Sequence, residues 1–289
     1  MKVASIAWNR SEWEKIEKPT TLMQKIEKHL KQAVSQQVEI VVFPGFTGCF
    51  FQLLFHSRKD LKDLVKNAES EKYIEEIKRL SRNNETIICP GTYWKKENKK
   101  TYHETVLIQN GKVILTQRQI YLAQWERKLG FSRGINVGCI QMGEWHLGVI
   151  ISTDVFYPQV SRKLALMGVD IILSPVGIIG EKSNELQMSG MWQEVQQNQF
   201  FAVESGFNGF LENYFFSSDS IIHAPLEMTK NKDGYLEKGF GQKKLVISHL
   251  DNEKRNRVIK HFDVLGQLNY QLYRTMKMFK TDGYNEKYH

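Results

Sequence analysis

The chain is poor in the features that usually announce a cofactor, a metal or a membrane. Three cysteines in 289 residues, Cys49, Cys89 and Cys139, lie far apart in or beside apolar segments; this excludes a disulfide framework and leads us to expect reduced thiols in a cytoplasmic protein. There is no CxxC and no HExxH, His56, His103, His146, His223, His249 and His261 are isolated, and His29 sits beside Lys28, so no metal is expected. Neither GxGxxG nor GxxxxGK[ST] occurs, and no nucleotide or other cofactor is expected. Ser205 stands in VESGFNG, which is not the GxSxG elbow of a serine hydrolase. No apolar run approaches the length of a membrane span, and the chain opens on a strand pattern, Val3 to Trp8, without a secretory leader, so membrane insertion and secretion are not expected.

What is present suits a folded, enzyme-sized domain. With 41% hydrophobic and 25% charged residues the chain can bury one large core, and we read a single domain over residues 1–267 followed by a tail, 268–289. The formal charge of +8 favours acidic partners or anionic ligands, but the lysines are scattered, and nucleic acid is not an expected partner. Lys95, Lys96, Lys99 and Lys100 around Glu97 and Asn98 read as a solvated hairpin loop.

Strand and helix patterns alternate in two passes. In the first, strand Val3 to Trp8 precedes a helix introduced by Pro19 and Thr20, with Leu22, Met23, Ile26, Leu30, Ala33 and Val34 on one face. Strand Ile40 to Phe43, a helix carrying Tyr73, Ile74, Ile77 and Leu80, and strand Thr86 to Cys89 follow. Asn110-Gly111 between Thr105–Ile108 and Val113–Thr116 signals a hairpin. The second pass, Gly148 to Leu250, includes a long helix around Gln187 to Asn198 and a strand at Phe200 to Val203. Periodicity alone establishes mixed α/β.

The most informative stretch is GVIISTDVFYPQVSRKLALMGVDIILSP, Gly148 to Pro175: buried strand, sharp turn, helix begun at Pro158, buried strand. It closely resembles the nitrilase superfamily of carbon-nitrogen hydrolases, whose pattern ICYDxxFPExxRxLAxxGADIIxxP carries a nucleophilic cysteine; here that position is Ser152. VVFPGFTGC, residues 41–49, resembles the family's VxFPExxxTGY and puts its general-base glutamate on Gly45. QRQIYLAQWERKLGFSRG, residues 117–134, resembles YRKxHLxxxERxxFxxG and puts the oxyanion-binding lysine on Gln119. Glu126 matches a further glutamate of many family pockets, and Thr153 and Asp154 follow the nucleophile position. The resemblance runs to about His249 and implies a four-layer α-β-β-α sandwich. It also implies a homodimer or larger homo-oligomer, paired across the helix after the nucleophile strand and the helix near residue 190. Tyr270, Leu272, Tyr273, Met276, Met278 and Phe279 give the tail an apolar side that lies either on a partner subunit or back on its own chain.

A serine hydroxyl needs a neighbouring base where a thiol can ionise by itself. Gly45 supplies none, and Gln119 donates a hydrogen bond without a charge. The resemblance therefore implies a relative lacking hydrolytic activity, with Gly45, Gln119 and Ser152 as degenerate triad positions. Glu126, Thr153 and Asp154 would line a vestigial pocket for a small amide, amine or carboxylate ligand, or the chain would partner an active subunit. One alternative is an amidase-like hydrolase with Ser152 as nucleophile, Glu126 or Asp154 as base and the Thr153 N–H in an oxyanion hole; it needs a carboxylate within roughly 3 Å of the hydroxyl, directly or through one water. The other is an interaction scaffold whose pocket is filled by Phe46, Phe50, Trp125, Phe156 or Trp192. Simpler roles compete: a positive-φ turn for Gly45, a satisfied polar strand end for Ser152, capping or pairing with Arg127 or Arg133 for Glu126 and Asp154, and a displaced nucleophile or a core thiol for Cys49.

Overall fold

A computed structural model describes residues 1–56, 60–239 and 244–272. Short β-branched runs such as Ile40–Val42 and Ile171–Val176 are buried at every position, the mark of strands covered on both faces. They build two sheets. One contains β1 (Lys2–Ile6), β2 (Ile40–Val42), β3 (Ile87–Cys89), β4 (Tyr93–Glu97), β5 (Lys100–Gln109), β6 (Lys112–Arg118) and β15 (Leu245–His249), in the order β15-β1-β2-β3-β5-β4 with β6 beside β5. The other runs β14-β13-β10-β9-β8-β7, from β7 (Cys139–Met142), β8 (Trp145–Val149), β9 (Ile171–Val176), β10 (Phe201–Gly206), β13 (Ile221–His223) and β14 (Tyr235–Lys238). The centre of each is parallel: β1, β2 and β3 in the first, β8, β9 and β10 in the second.

The sheets face one another through Val3, Ile40, Val42 and Leu107 on one side and Leu147, Val149, Leu173, Phe201 and Val203 on the other. Helices cover the outer faces. On the first sheet lie α1 (Arg10–Glu14), α2 (Pro19–Ser35), α3 (Thr47–His56), α4 (Leu61–Lys66), α5 (Glu71–Ser81) and α6 (Gln124–Leu129), which contribute Trp13, Leu22, Phe51, Leu64, Ile77 and Trp125 to one core. On the second lie α7 (Pro158–Leu166), α8 (Asn184–Gln187) and α9 (Gln193–Asn198), with Leu164, Met191 and Val195 buried under them. The expected four-layer α-β-β-α sandwich is the observed one. A hairpin of β11 (Gly209–Leu211) and β12 (Tyr214–Phe216) and a final helix, α10 (Asn252–His261), complete the described chain.

Local chemistry accounts for the details. Pro19 takes the first turn of α2, where its missing N–H costs nothing. Asn110 and Gly111 both have positive φ, +46° and +75°, as a tight hairpin turn requires, and a bulge between Leu107 and Ile108 shifts the β5–β6 register beyond it. The long helix expected around Gln187 to Asn198 instead begins at Asn184 and is interrupted at Gly190, whose φ −100° and ψ −131° are not helical. Of the tail, Tyr270 and Leu272 are exposed; Tyr273, Met276, Met278 and Phe279 lie outside the described residues. Among the described residues no helix is long and apolar enough to cross a membrane.

An ion pair ties α10 to the second sheet. Arg255 is buried, donates to Asp170 Oδ1 at 2.6 Å and to the Gln199 carbonyl at 2.5 Å, while Asp170 Oδ2 accepts the His146 N–H at 3.0 Å. Removing one partner of such a pair strands the other charge, so Asp170→Ala should lower unfolding free energy by about 3–5 kcal/mol in urea titrations. A change below about 1 kcal/mol, the range of exposed pairs, would contradict this role.

Candidate functional site

The carboxyl ends of β2, β8 and β9 and the far end of the β5–β6 hairpin meet at one edge of the sandwich, where open α/β sheets tend to hold ligands. Sequence reasoning placed Gly45, Gln119, Ser152, Glu126, Thr153 and Asp154 there. The structure joins Gln119, Glu126 and Thr153 through side-chain hydrogen bonds, links Asp154 to the backbone beside Gln119, and sets Gly45 and Ser152 against consecutive residues of the β9 end.

Ser152 follows β8 at the start of a 3-10 turn, Ser152–Phe156, with φ +43°. A residue with a Cβ is held in that left-handed region only by its surroundings. The side chain is 2% exposed, and its Oγ accepts the Gly177 N–H at 3.2 Å. No carboxylate hydrogen-bonds to it among the described residues. A carboxylate acting on this hydroxyl would have to do so through an intervening water, the indirect arrangement that the serine-hydrolase alternative also allows.

Gly45 departs from its expected turn role. Its φ is not positive; the left-handed residue is its neighbour Phe46, at +60°. What the position demands is the absence of a side chain, since a Cβ would lie 2.6 Å from both the carbonyl carbon and the oxygen of Val176. Phe46 then turns inward. Its ring packs on Gly177, stacks on His103 at 4.8 Å between centroids and 22° between planes, and touches Trp125, Phe207 and Phe216. Trp125 and Phe50 belong to the same aromatic core, whereas Trp192 is elsewhere, donating its indole N–H to the Asp233 carbonyl.

Beside this ring lies a buried polar network. Gln119 Nε2 donates to Glu126 Oε2 at 2.9 Å and Thr153 Oγ at 2.8 Å, while Gln119 Oε1 and Glu126 Oε1 both face His103 Nδ1, at 2.5 and 2.9 Å. Two acceptors at one ring nitrogen mean that Nδ1 carries a proton. At the opposite edge His103 Nε2 meets Thr92 Oγ at 2.6 Å, and that oxygen also accepts the Phe46 N–H at 2.8 Å. Glu126 further accepts the Ala123 N–H at 2.7 Å, capping α6. The expected pairing with Arg127 or Arg133 gives way to His103, Gln119 and Ala123 for Glu126, and to Ile120 and Tyr121 for Asp154.

Asp154 accepts the Ile120 N–H at 3.0 Å and the Tyr121 N–H at 2.6 Å. Burial pushes its carboxyl up to about 7, against these N–H donors, which favour the charged form. Cys49 is a core thiol: fully buried on α3, it donates to the Thr92 carbonyl at 3.5 Å, and burial raises it well above the ordinary thiol range, the reverse of what a nucleophile needs.

His103 is the residue that sequence reasoning missed at this centre, whereas Phe46 was already a candidate to fill it. The signal for His103 was the hairpin: carrying the register back from Asn110-Gly111 with one bulge sets His103 opposite Gln119, whose N–H bonds the His103 carbonyl at 2.9 Å. Among the described residues no group of three or more His, Cys, Asp or Glu is arranged to hold a metal ion.

Two consequences are measurable. Gly45→Ala forces a Cβ into the Val176 carbonyl and should cost about 1–3 kcal/mol of stability by denaturant unfolding; an unchanged midpoint would show that β9 yields freely. Because Asp154 binds its proton more tightly in the folded state than in the unfolded chain, stability should fall as pH rises from about 4 to about 7. Asp154→Asn should lack that portion of the slope, and a carboxyl ¹³C titration that places Asp154 at or below the ordinary aspartate value would overturn the assignment.

Comparison with known proteins agrees with this architecture. The family model described as carbon-nitrogen hydrolase matches residues 2–227. A nitrilase of Pyrococcus abyssi is 26% identical over 180 residues, 62% of this chain; the match spans 66% of that protein's own length. A carbon-nitrogen hydrolase of Helicobacter pylori G27 shares the fold with a TM-score of 0.78 at 15% identity, over 96% of this chain and 97% of that one. A mutant amidase of Nesterenkonia sp. AN1, with acrylamide added at its active-site cysteine, gives 0.73 at 16% identity, over 96% and 99%. With a two-sheet sandwich of the nitrilase type and a family match over most of its length, the chain belongs to the carbon-nitrogen hydrolase family, within the nitrilase superfamily.

Proposed function

We propose that this protein is a nitrilase-superfamily member without the family's hydrolytic chemistry, keeping the fold for small-molecule binding or for a role as a subunit partner. The observation that carries this reading is the filled centre: the Phe46 ring lies on His103 and on Gly177, the residue whose N–H the Ser152 hydroxyl accepts. Further support comes from the hydrogen bonding. Ser152 accepts an N–H and, among the described residues, has no direct carboxylate partner, and both candidate bases are committed, Glu126 to His103, Gln119 and Ala123, and Asp154 to Ile120 and Tyr121.

On this reading Gly45, Gln119 and Ser152 stand at the positions of the family's base, cation and nucleophile. General acid-base assistance contributes roughly 10²- to 10⁴-fold and one oxyanion donor roughly 10²- to 10³-fold, and such groups act as a unit. The proposal includes a cytoplasmic homodimer formed across α7 and the region of α8 and α9, for which Tyr157, Leu166, Met167, Leu186 and Met188 offer exposed apolar surface.

The second reading, an amidase-like hydrolase of non-peptide carbon-nitrogen bonds using Ser152, is favoured by the family match and by the nitrilase and amidase relatives. It requires a carboxylate to reach the Ser152 hydroxyl, directly or through one water. Incubation with a panel of amides, nitriles and carbamoyl compounds, read by product release and intact mass, separates the two. We expect no turnover and no acyl adduct; turnover abolished by Ser152→Ala, or a stable adduct on Ser152, would establish the hydrolase.

A further inference from the structure

A cavity lies next to the aromatic centre, on the other side of the β9 end. Val176 and Ile178 line it, whereas Gly177 between them turns its N–H to Ser152. Val155 and Phe156 of the 3-10 turn, Leu186 and Met191 give it apolar walls, and Gly45, Gln119, Ser152 and Glu126 are not among its lining residues. The polar group that stands out inside is the carboxylate of Glu204.

Glu204 lies on β10, flanked by Ser174 of β9 and Ile221 of β13, and its carbonyl accepts the Ser5 hydroxyl at 2.5 Å. The backbone is thus fixed on both sides. Strand alternation sends Phe201 and Val203 into the core between the sheets and Ala202 into the core under α7 and α9, so Glu204 shares the face of Ala202. The residue is 5% exposed. Both of its side-chain hydrogen bonds fall on one oxygen: His223 Nε2 at 2.7 Å and Gln187 Nε2 at 3.1 Å both meet Oε2. Among the described residues nothing bonds Oε1. His223 is fully buried and its Nδ1 has no partner, an arrangement that suits a neutral ring with Nε2–H donating, because a charged ring would bury a second N–H with no acceptor.

A carboxylate held this way, with one oxygen anchored by two donors and the other open to a partly enclosed cavity, is positioned to accept from a cationic donor that enters it. Lys182 and Asp219 also line the cavity and pair with each other at 2.7 Å, and Lys238 reaches the same Asp219 carboxylate at 3.2 Å. The cavity volume, about 40 Å³, admits roughly three water-sized atoms. That is room for an ammonium nitrogen and the first carbons behind it.

We propose that this cavity binds a small primary alkylammonium, its nitrogen on Glu204 Oε1 and its methylenes against Val155, Phe156, Leu186 and Met191. The inference goes beyond the loss of hydrolysis and does not depend on it, since Glu204 takes no part in the network around Ser152.

Ligand-observed NMR titrations of the full chain at neutral pH with n-butylamine, 1-butanol and butyrate test it. The amine should bind at least roughly tenfold more tightly than the alcohol, with butyrate weakest. Glu204→Gln keeps partners for His223 and Gln187 but removes the charge, and should bring the amine down to the level of the alcohol. Leu186→Trp, on the apolar wall one residue before Gln187, leaves the Glu204 charge in place and should weaken amine and alcohol together. Circular dichroism melting of both variants separates lost binding from lost fold, and the Leu186→Trp result and the wild-type ligand ranking stand even if Glu204→Gln does not fold. Equal binding of amine and alcohol to the wild-type chain, no binding of the amine, or undiminished amine binding by folded Glu204→Gln would overturn the proposal.

Discussion

The centre of this protein is governed by a backbone contact. The end of β2 presses against the end of β9 so closely that position 45 tolerates no side chain, and its N–H donates to the Ser205 carbonyl at 3.2 Å, joining the two sheets at the same point. With no side chain projecting from Gly45, Phe46 occupies the interior instead, and its left-handed backbone directs the ring between Gly177 and His103. The chemistry of the site follows from that packing: a ring excludes water and strengthens the hydrogen bonds among His103, Gln119, Glu126 and Thr153, while making any unpaired polar atom there expensive. Position 45 is thus set by packing, because the space that a longer side chain needs belongs to the neighbouring strand.

Much of this was legible in the sequence. The short β-branched strands, the Asn110-Gly111 hairpin, the amphipathic faces of α2 and α5 and the strand-turn-helix unit around Ser152 form as their patterns dictate, except that Val34, expected on the buried face of α2, is exposed and His29 is buried there. The elements that were not legible have physical reasons. Thr47–His56 is apolar on nearly every side because it is sandwiched between the first sheet and other helices, so it lacks the one-sided rhythm of a surface helix. Strand β4 shares its hairpin with the lysine-rich turn that dominates its local composition, and the interruption at Gly190 depends on packing far from it in sequence.

At the site, motif spacing brought Gly45, Gln119, Ser152 and Glu126 to one edge of the sandwich. It could not supply partners. His103 reaches Gln119 only across a hairpin whose bulge moves the register by one residue, and the inward turn of Phe46 is imposed by the crowding of Val176, which is distant in the chain. Glu204 illustrates the same limit: in FAVESG it reads as one acidic residue within an apolar strand, and its free oxygen emerges only when His223 and Gln187 are seen to share the other.

Ser152 retains the left-handed backbone of a sharp strand-to-turn corner. In such a conformation a β-carbon is a burden, and glycine would sit there with less strain. Foldability and reactivity therefore place opposing demands on this residue: the atom that any chemistry at the corner would need is the atom that the corner would more comfortably do without.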